Sequence, residues 1–144
     1  MGKSISVVIP SYNGRELLSA NLPALYRAME TSGIGDFEVI ISDDASQDGT
    51  AGFIRKEYPG VILIENAVNL GFPGNANKGI SKAAKDLVLI LNSDAVLTEK
   101  YFTPLLHYFD DPLIFGVMGR ITSLDSGSIQ DGAKYPDYSY ADIN

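Results

Sequence analysis

The chain has no cysteine, a single histidine, and only 11 basic residues against 18 acidic ones in a length of 144. Each shortage closes off a kind of chemistry. Without cysteine there is no disulfide framework, no thiolate metal site and no thiol nucleophile, which excludes a zinc ribbon. The one histidine, His107, sits among Leu105, Leu106, Tyr108 and Phe109 in a helical stretch remote from the polar segments, and reads as structural. Ser11, Ser42 and Ser93 therefore lack a histidine base in any motif, and a hydrolase triad is not expected. A formal charge of −7 offers nucleic-acid phosphates no electrostatic footprint. No run approaches the ~18 uninterrupted apolar residues that span a bilayer, and residues 1–6 are too short and polar for a signal peptide. The expectation is a cytoplasmic domain with no transmembrane segment.

What is present is apolar substance with a pattern. At 45% hydrophobic residues the chain can build one domain with a sizeable core, since domains of this length bury roughly two-thirds of their unfolded surface. Three apolar runs each stop on small polar or acidic residues: SVVIPSYN at 6–13, FEVIISDDASQDGT at 37–50 and LVLILNSD at 87–94. Continuous Val/Ile/Leu runs belong to parallel sheets covered on both faces, whose ligands sit just beyond the carboxyl ends of the strands. The polar stops are thus the candidate site.

Between the runs the period changes. A strand over 5–9 is closed by Pro10, and Leu18, Leu22, Leu25 and Met29 then mark one stripe of a helix that Pro23 must kink or restart. A strand over 37–41, a helix introduced by Asp48-Gly49-Thr50 and ended by Pro59, and a strand over 61–64 follow. Residues 69–79 read as a Gly/Asn-rich loop entering a helix that runs to about 84. A strand over 87–91, a helix over 99–109 and a strand over 113–118 complete the pattern. This alternation predicts a Rossmann-like α/β fold: a mainly parallel sheet, right-handed crossovers and helices on both faces. Residues 1–120 form the predicted α/β domain, and 121–144 a loop-rich continuation without a clear period.

The glycines Gly71, Gly74 and Gly79 match neither the dinucleotide fingerprint nor the P-loop. A nucleotidyltransferase reading would want a Gly-rich basic loop directly after the first strand, where residues 11–15 supply one Gly and one Arg. Asp48 reads as a helix cap, and Asp44 or Ser46 as a turn former. Asp43 differs, because a carboxylate at the very end of a buried strand costs desolvation energy unless it meets a partner such as a ligand N–H or hydroxyl. Asp94 follows Asn92-Ser93 where the most apolar run turns out of the sheet. If the three strands are neighbours, Asp43 and Asp94 face one acidic crevice that invites Mg²⁺ or Mn²⁺ through oxygen ligands.

At SVVIPSYN, EVIISDDASQDGT (38–50), NLGFPGNANKG (69–79) and LILNSDA (89–95) the chain resembles the inverting nucleotide-sugar glycosyltransferases of family 2, which have the GT-A fold. The wording NLGF is most similar to the rhamnosyltransferase branch. The resemblance implies that Pro10, Ser11, Tyr12 and Asn13 line a nucleotide pocket and that Asp43, beside Asp44, contacts base or ribose. It places Gly71, Asn77 and Gly79 against the donor, with Ala76 where many members carry Arg. Asn92-Ser93-Asp94 stand for the family's DxD-type motif, with Asp94 as ligand to Mg²⁺ or Mn²⁺. The implied partners are a UDP- or dTDP-sugar and a glycan or lipid-linked acceptor, and the implied place is the cytoplasm, at the cytoplasmic face of the membrane for the full-length protein.

Inverting transfer needs a base for the acceptor hydroxyl, and none of Asp125, Asp131, Asp137 and Asp142 stands in the family's pattern for it. The expectation is the donor-binding part of a glycosyltransferase, without transfer by this chain alone. The alternative is a non-catalytic nucleotide-sugar binding module.

Overall fold

A computed structural model describes residues 3–123 and 125–130. The elements run β1 (Ile5–Ser11), α1 (Arg15–Ser32), β2 (Phe37–Asp43), α2 (Thr50–Glu57), β3 (Ile62–Glu65), α3 (Gly71–Ile80), β4 (Leu87–Ile90), α4 (Phe102–Tyr108), β5 (Ile121–Thr122) and β6 (Ile129–Gln130). The chain divides into two compact units, Met1–His107 and Tyr108–Asn144, ahead of the 120/121 boundary read from composition.

The first unit is an α/β domain on a four-stranded parallel sheet of order β3-β2-β1-β4. From β1 the chain winds outward through β2 to β3, then returns to place β4 on the other side of β1. The strand order therefore reverses between β1 and β4, where open α/β sheets bind their ligands.

β1 is buried along its whole length because it is central and covered on both faces. Ile5, Val7 and Ile9 join Val39 and Ile41 in one core cluster with Leu18, Leu22, Leu25, Ala28 and Met29 of α1. Each fully buried side chain of this size contributes roughly 1.5–3 kcal/mol. On the opposite face, set by the two-residue alternation of a strand, α3 lies over β1 and β2. A Cβ on Gly79 would overlap Val8 Cγ1, so this crossing requires glycine.

Several local expectations are corrected. Pro10 does not end β1, since pairing with β2 continues through Pro10↔Ser42 to Ser11↔Asp43. Val8 O accepts Leu91 N on the β4 side, and Pro10, two residues on, faces that same side beyond the last β4 partner. Its missing N–H thus removes no ladder bond. α1 runs unbroken through Pro23. The stretch read as a Gly/Asn-rich loop is α3 itself, with Pro73 in the first turn, where a backbone N–H has no helical partner anyway.

β4 is the sheet edge and only half covered: Val88 and Ile90 are exposed on the face where α3 lies over β1 and β2.

In the second unit, residues 113–118 form no strand, and Leu113 and Phe115 are almost wholly exposed. An apolar run without a neighbouring strand has no ladder to join. Inside the stretch read as an irregular tail, β5 and β6 pair antiparallel. Asp131, Asp137 and Asp142 lie outside the described residues.

Candidate functional site

The carboxyl ends of β1 and β2 meet at a register pair, Ser11 opposite Asp43. Both are almost fully buried. Asp43 Oδ2 accepts the Ser46 N–H at 3.2 Å, while Asp43 Oδ1 and Ser11 Oγ have no hydrogen-bond partner among the described residues. Being odd-numbered positions of paired strands, they share the sheet face on which α1 packs. Ser42 Oγ is also without a partner, on the opposite face. Buried polar atoms of this kind are rare in folded proteins, because an unmade hydrogen bond costs about 1–3 kcal/mol.

Beyond β4 the chain turns at Asn92-Ser93-Asp94, where Asn92 O accepts Ala95 N at 3.1 Å. Asn21 of α1 donates its side-chain amide to Ser93 O at 2.8 Å and fixes the turn. A Cβ on Gly14 would overlap Ser11 Oγ and lie 3.7 Å from Ser93 Oγ. Gly14 thus marks where the end of β1 and the turn after β4 come together, at the point of strand-order reversal. Asn92 and Asp94 are exposed, and Asp94 has no hydrogen-bond or ion-pair partner among the described residues.

The two loops after β1 and β2 are clamped to each other. Asn13, held at φ 48°, receives the Gln47 N–H on Oδ1 and donates its own N–H to Ser46 Oγ. Asp48 Oδ2 accepts the Arg15 N–H that opens α1, while Oδ1 accepts both the N–H and the hydroxyl of Thr50 that open α2. Asp48 therefore satisfies the first N–H of two helices from outside their N-cap positions, Gly14 and Gly49, one helix more than its sequence position suggested. Partial burial works against its charge, but the hydrogen bonds from Thr50 and Arg15 prevail and hold its carboxyl below the ordinary carboxylate range. Between the clamped loops, Tyr12 projects with its ring exposed.

The remaining sequence candidates divide. Asp44 is turned inward, and its Oδ1 receives Leu70 N at 2.8 Å and Asn66 Nδ2 at 2.9 Å. Gly71 opens α3 at φ 71° and donates its N–H to Asn69 Oδ1. Asn77 lies on the exposed side of α3, and Gly79 sits against Val8. The sequence reading missed Asn75, which is buried and donates to the carbonyls of Ser11 and Ser42. Its signal was available: Asn75 and Gly79 are one helical turn apart, on the same buried face.

No group of three or more His, Asp or Glu side chains that could hold a metal ion occurs among the described residues. That does not disfavour a cation of the Mg²⁺ type, which takes one or two carboxylates and completes its shell with water and substrate phosphates. An exposed carboxylate with no protein partner, as at Asp94, has the donor chemistry for this. A groove of about 430 Å³ opens beside the end of β3, lined by residues that include Glu65, the register partner of Asp43, with Asn66, Leu70, Lys78 and Lys82.

Sheet order and crossovers define an open α/β domain with the GT-A fold. The chain belongs to Glycosyl transferase family 2, whose family model matches residues 6–136. It is 37% identical over 94 residues to a poly(ribitol-phosphate) beta-glucosyltransferase of Bacillus spizizenii, covering 62% of this chain and 14% of that protein. It is 30% identical over 141 residues to the poly(ribitol-phosphate) beta-N-acetylglucosaminyltransferase TarP of Staphylococcus aureus, covering 90% of this chain and 42% of that one. Among solved structures, the mannosyltransferase PcManGT from Pyrobaculum calidifontis, in complex with GDP-Man and Mn²⁺, superposes with a TM-score of 0.69 at 23% identity. That match covers 79% of this chain and 34% of the mannosyltransferase. The chain thus spans less than half the length of these relatives. No helix among the described residues is long and apolar enough to cross a membrane.

Proposed function

We propose that this chain is the donor-binding part of a glycosyltransferase that moves a sugar from a nucleoside diphosphate sugar to an acceptor hydroxyl, with inversion and with a divalent cation. The observation that carries the reading is the pair Ser11 and Asp43: two buried, unpartnered oxygens at the carboxyl ends of adjacent central strands, beside the switch point. Both are covered in this structure, Ser11 Oγ by Gly14, so a base N–H or a ribose hydroxyl would bond to them as those covering residues move aside. The exposed Tyr12 ring offers a face on which the base can stack. The clamped loops hold these groups in place, so little order has to be created when the nucleotide arrives.

Asp94 is the residue we assign to the cation, Mg²⁺ or Mn²⁺. Asp94 would hold the cation there, which when bound would supply charge neutralisation for the diphosphate and for the departing nucleoside diphosphate. The sign of the protein's charge supports this division of labour, since a chain of net charge −7 otherwise repels a diphosphate. The Mn²⁺ present with GDP-Man in the mannosyltransferase of the same fold points the same way. Glycan or lipid-linked hydroxyls are the acceptor class we assign, and the poly(ribitol-phosphate) in the names of two relatives is another hydroxyl-bearing polymer.

A thermal-shift screen of nucleoside diphosphates with and without Mn²⁺ tests the reading. Ligand at ~100 times its dissociation constant adds about 2.7 kcal/mol of stability. An upward shift that needs both nucleotide and cation supports the proposal. A flat response to UDP, dTDP and GDP alike defeats it.

A further inference from the structure

The unpartnered Ser11 and Asp43 pose a question of their own. Groups left without hydrogen bonds at a cost of about 1–3 kcal/mol each relax toward a partner unless their surroundings hold them in place. The restraint lies on the other face of the sheet. Asn75 is buried in α3, and both hydrogens of its amide are committed, to Ser42 O at 2.9 Å and Ser11 O at 3.3 Å. Its own oxygen accepts Asn66 Nδ2 at 2.9 Å, and the other hydrogen of that amide goes to Asp44 Oδ1. Asp44 Oδ1 also receives Leu70 N, and the Asp44 backbone N–H returns to Ser11 O at 2.8 Å. The relay starts and finishes at Ser11, and both of its asparagine amides donate from both hydrogens.

From this we infer that Asn75, acting through Asn66 and Asp44, is a positioning residue that fixes the ends of β1 and β2 so that Ser11 Oγ and Asp43 Oδ1 are presented to a ligand without partners of their own. The inference rests on the proposed nucleotide site for its consequence, but not for its mechanics. The carbonyls it grips are the backbone groups of Ser11 and Ser42, not the side-chain oxygens Ser11 Oγ and Asp43 Oδ1. What Asn75 controls is the path of the backbone on either side of the pair.

This differs from an ordinary packing role in one measurable respect. If Asn75 merely packs, its loss lowers stability and leaves affinity intact in the protein that remains folded. If it positions, Asn75→Ala loosens the strand ends in the folded protein. The amides of Asp44 and Leu70 then exchange faster while those of Val7 and Val39 keep their protection. Nucleoside diphosphate affinity in Mn²⁺, measured well below the unfolding temperature, should fall about tenfold or more.

The experiment measures hydrogen exchange and UDP affinity on three variants: Asn75→Ala, Asn66→Ala, which cuts the relay one link further out, and Ile54→Val, a core substitution on the α1 side of the sheet. Local deprotection and weaker binding in both asparagine variants, with neither in Ile54→Val, is the expected result. Unchanged exchange at Asp44 and Leu70 in the folded asparagine variants overturns the inference, and so does affinity equal to the parent's. Should the parent bind no nucleoside diphosphate, the proposed function fails, and the exchange measurement still decides whether Asn75 holds the strand ends.

Discussion

Ser11 and Asp43 stand directly opposite each other at the last register position of β1 and β2, each with one buried oxygen that none of the described residues satisfies. Two such atoms on neighbouring strands, on one face and at the ligand-binding edge of a parallel sheet, are the strongest single pointer to function in this molecule. Asp43→Asn keeps the shape and removes the charge. It should weaken binding of nucleoside monophosphate and diphosphate alike by roughly 1.5–3 kcal/mol, the range for a lost charge-assisted hydrogen bond. Calorimetry with UMP and UDP checks this, and parent-like affinity for UMP would make Asp43 a structural residue.

Asp94 is exposed and without a partner among the described residues, so its replacement should leave the fold alone. Asp94→Ala is expected to change unfolding free energy by less than about 0.5 kcal/mol. It should abolish the part of nucleoside diphosphate affinity that depends on Mn²⁺, while affinity measured in EDTA stays as in the parent. Equal Mn²⁺ dependence in mutant and parent would remove Asp94 from the metal site.

Asp48 ties the first turns of α1 and α2 to one carboxylate. Asp48→Ala should cost about 1–2 kcal/mol in chemical denaturation, as for the loss of a strong helix cap. The pH dependence has a fixed sign. The folded-state pKa is depressed, so the stabilisation is fully present above the unfolded value of about 3.9 and is lost as pH falls through the lower folded value. Glu38 acts in the same direction, its carboxyl lowered chiefly by the Ser6 hydroxyl and also by the Ala84 N–H. The parent should therefore lose stability steeply below pH ~4, and Asp48→Ala should lose it less steeply over the same interval. Parallel curves would mean that Asp48 contributes nothing through its charge.

Gly79→Ala places a methyl group on Val8 where α3 crosses β1. The helix must move off the sheet or Val8 must leave its rotamer, at about 1–3 kcal/mol. Pairing Gly79→Ala with Val8→Ala should recover part of the loss in a double-mutant cycle, because the deleted methyl groups make room for the added one. Strict additivity would show that the close approach does not limit stability.

How far the sequence could be read follows from which forces set each element. β1 and β2 were legible because strand burial and polar stops are local patterns, and the whole of SVVIPSYN and EVIISDD lies in or beside paired strands, whereas the strand order that makes a switch point is tertiary. α3 was not legible. Its GFPGNANKGI sequence carries three glycines and a proline that count against a helix, and only tertiary contact explains them: Gly79 lets the helix reach Val8, and Asn75 satisfies strand carbonyls from the buried side. Asp48 was read correctly as a cap, but its second helix could not be foreseen because Arg15 lies 33 residues away in sequence. Residues 113–118 misled for the opposite reason. They have the right composition for a strand, and the described residues supply no neighbour for it to pair with.

The central claim is that the strand-end edge of this chain binds a nucleoside diphosphate through a divalent cation. Isothermal titration of the purified chain with UDP, dTDP and GDP, each in Mn²⁺ and again in EDTA, tests it most directly. The account predicts saturable one-to-one binding of at least one of the three in Mn²⁺, lost or strongly weakened on chelation. Absence of binding to all three at millimolar concentration in Mn²⁺, or affinity that EDTA leaves unchanged, would contradict it.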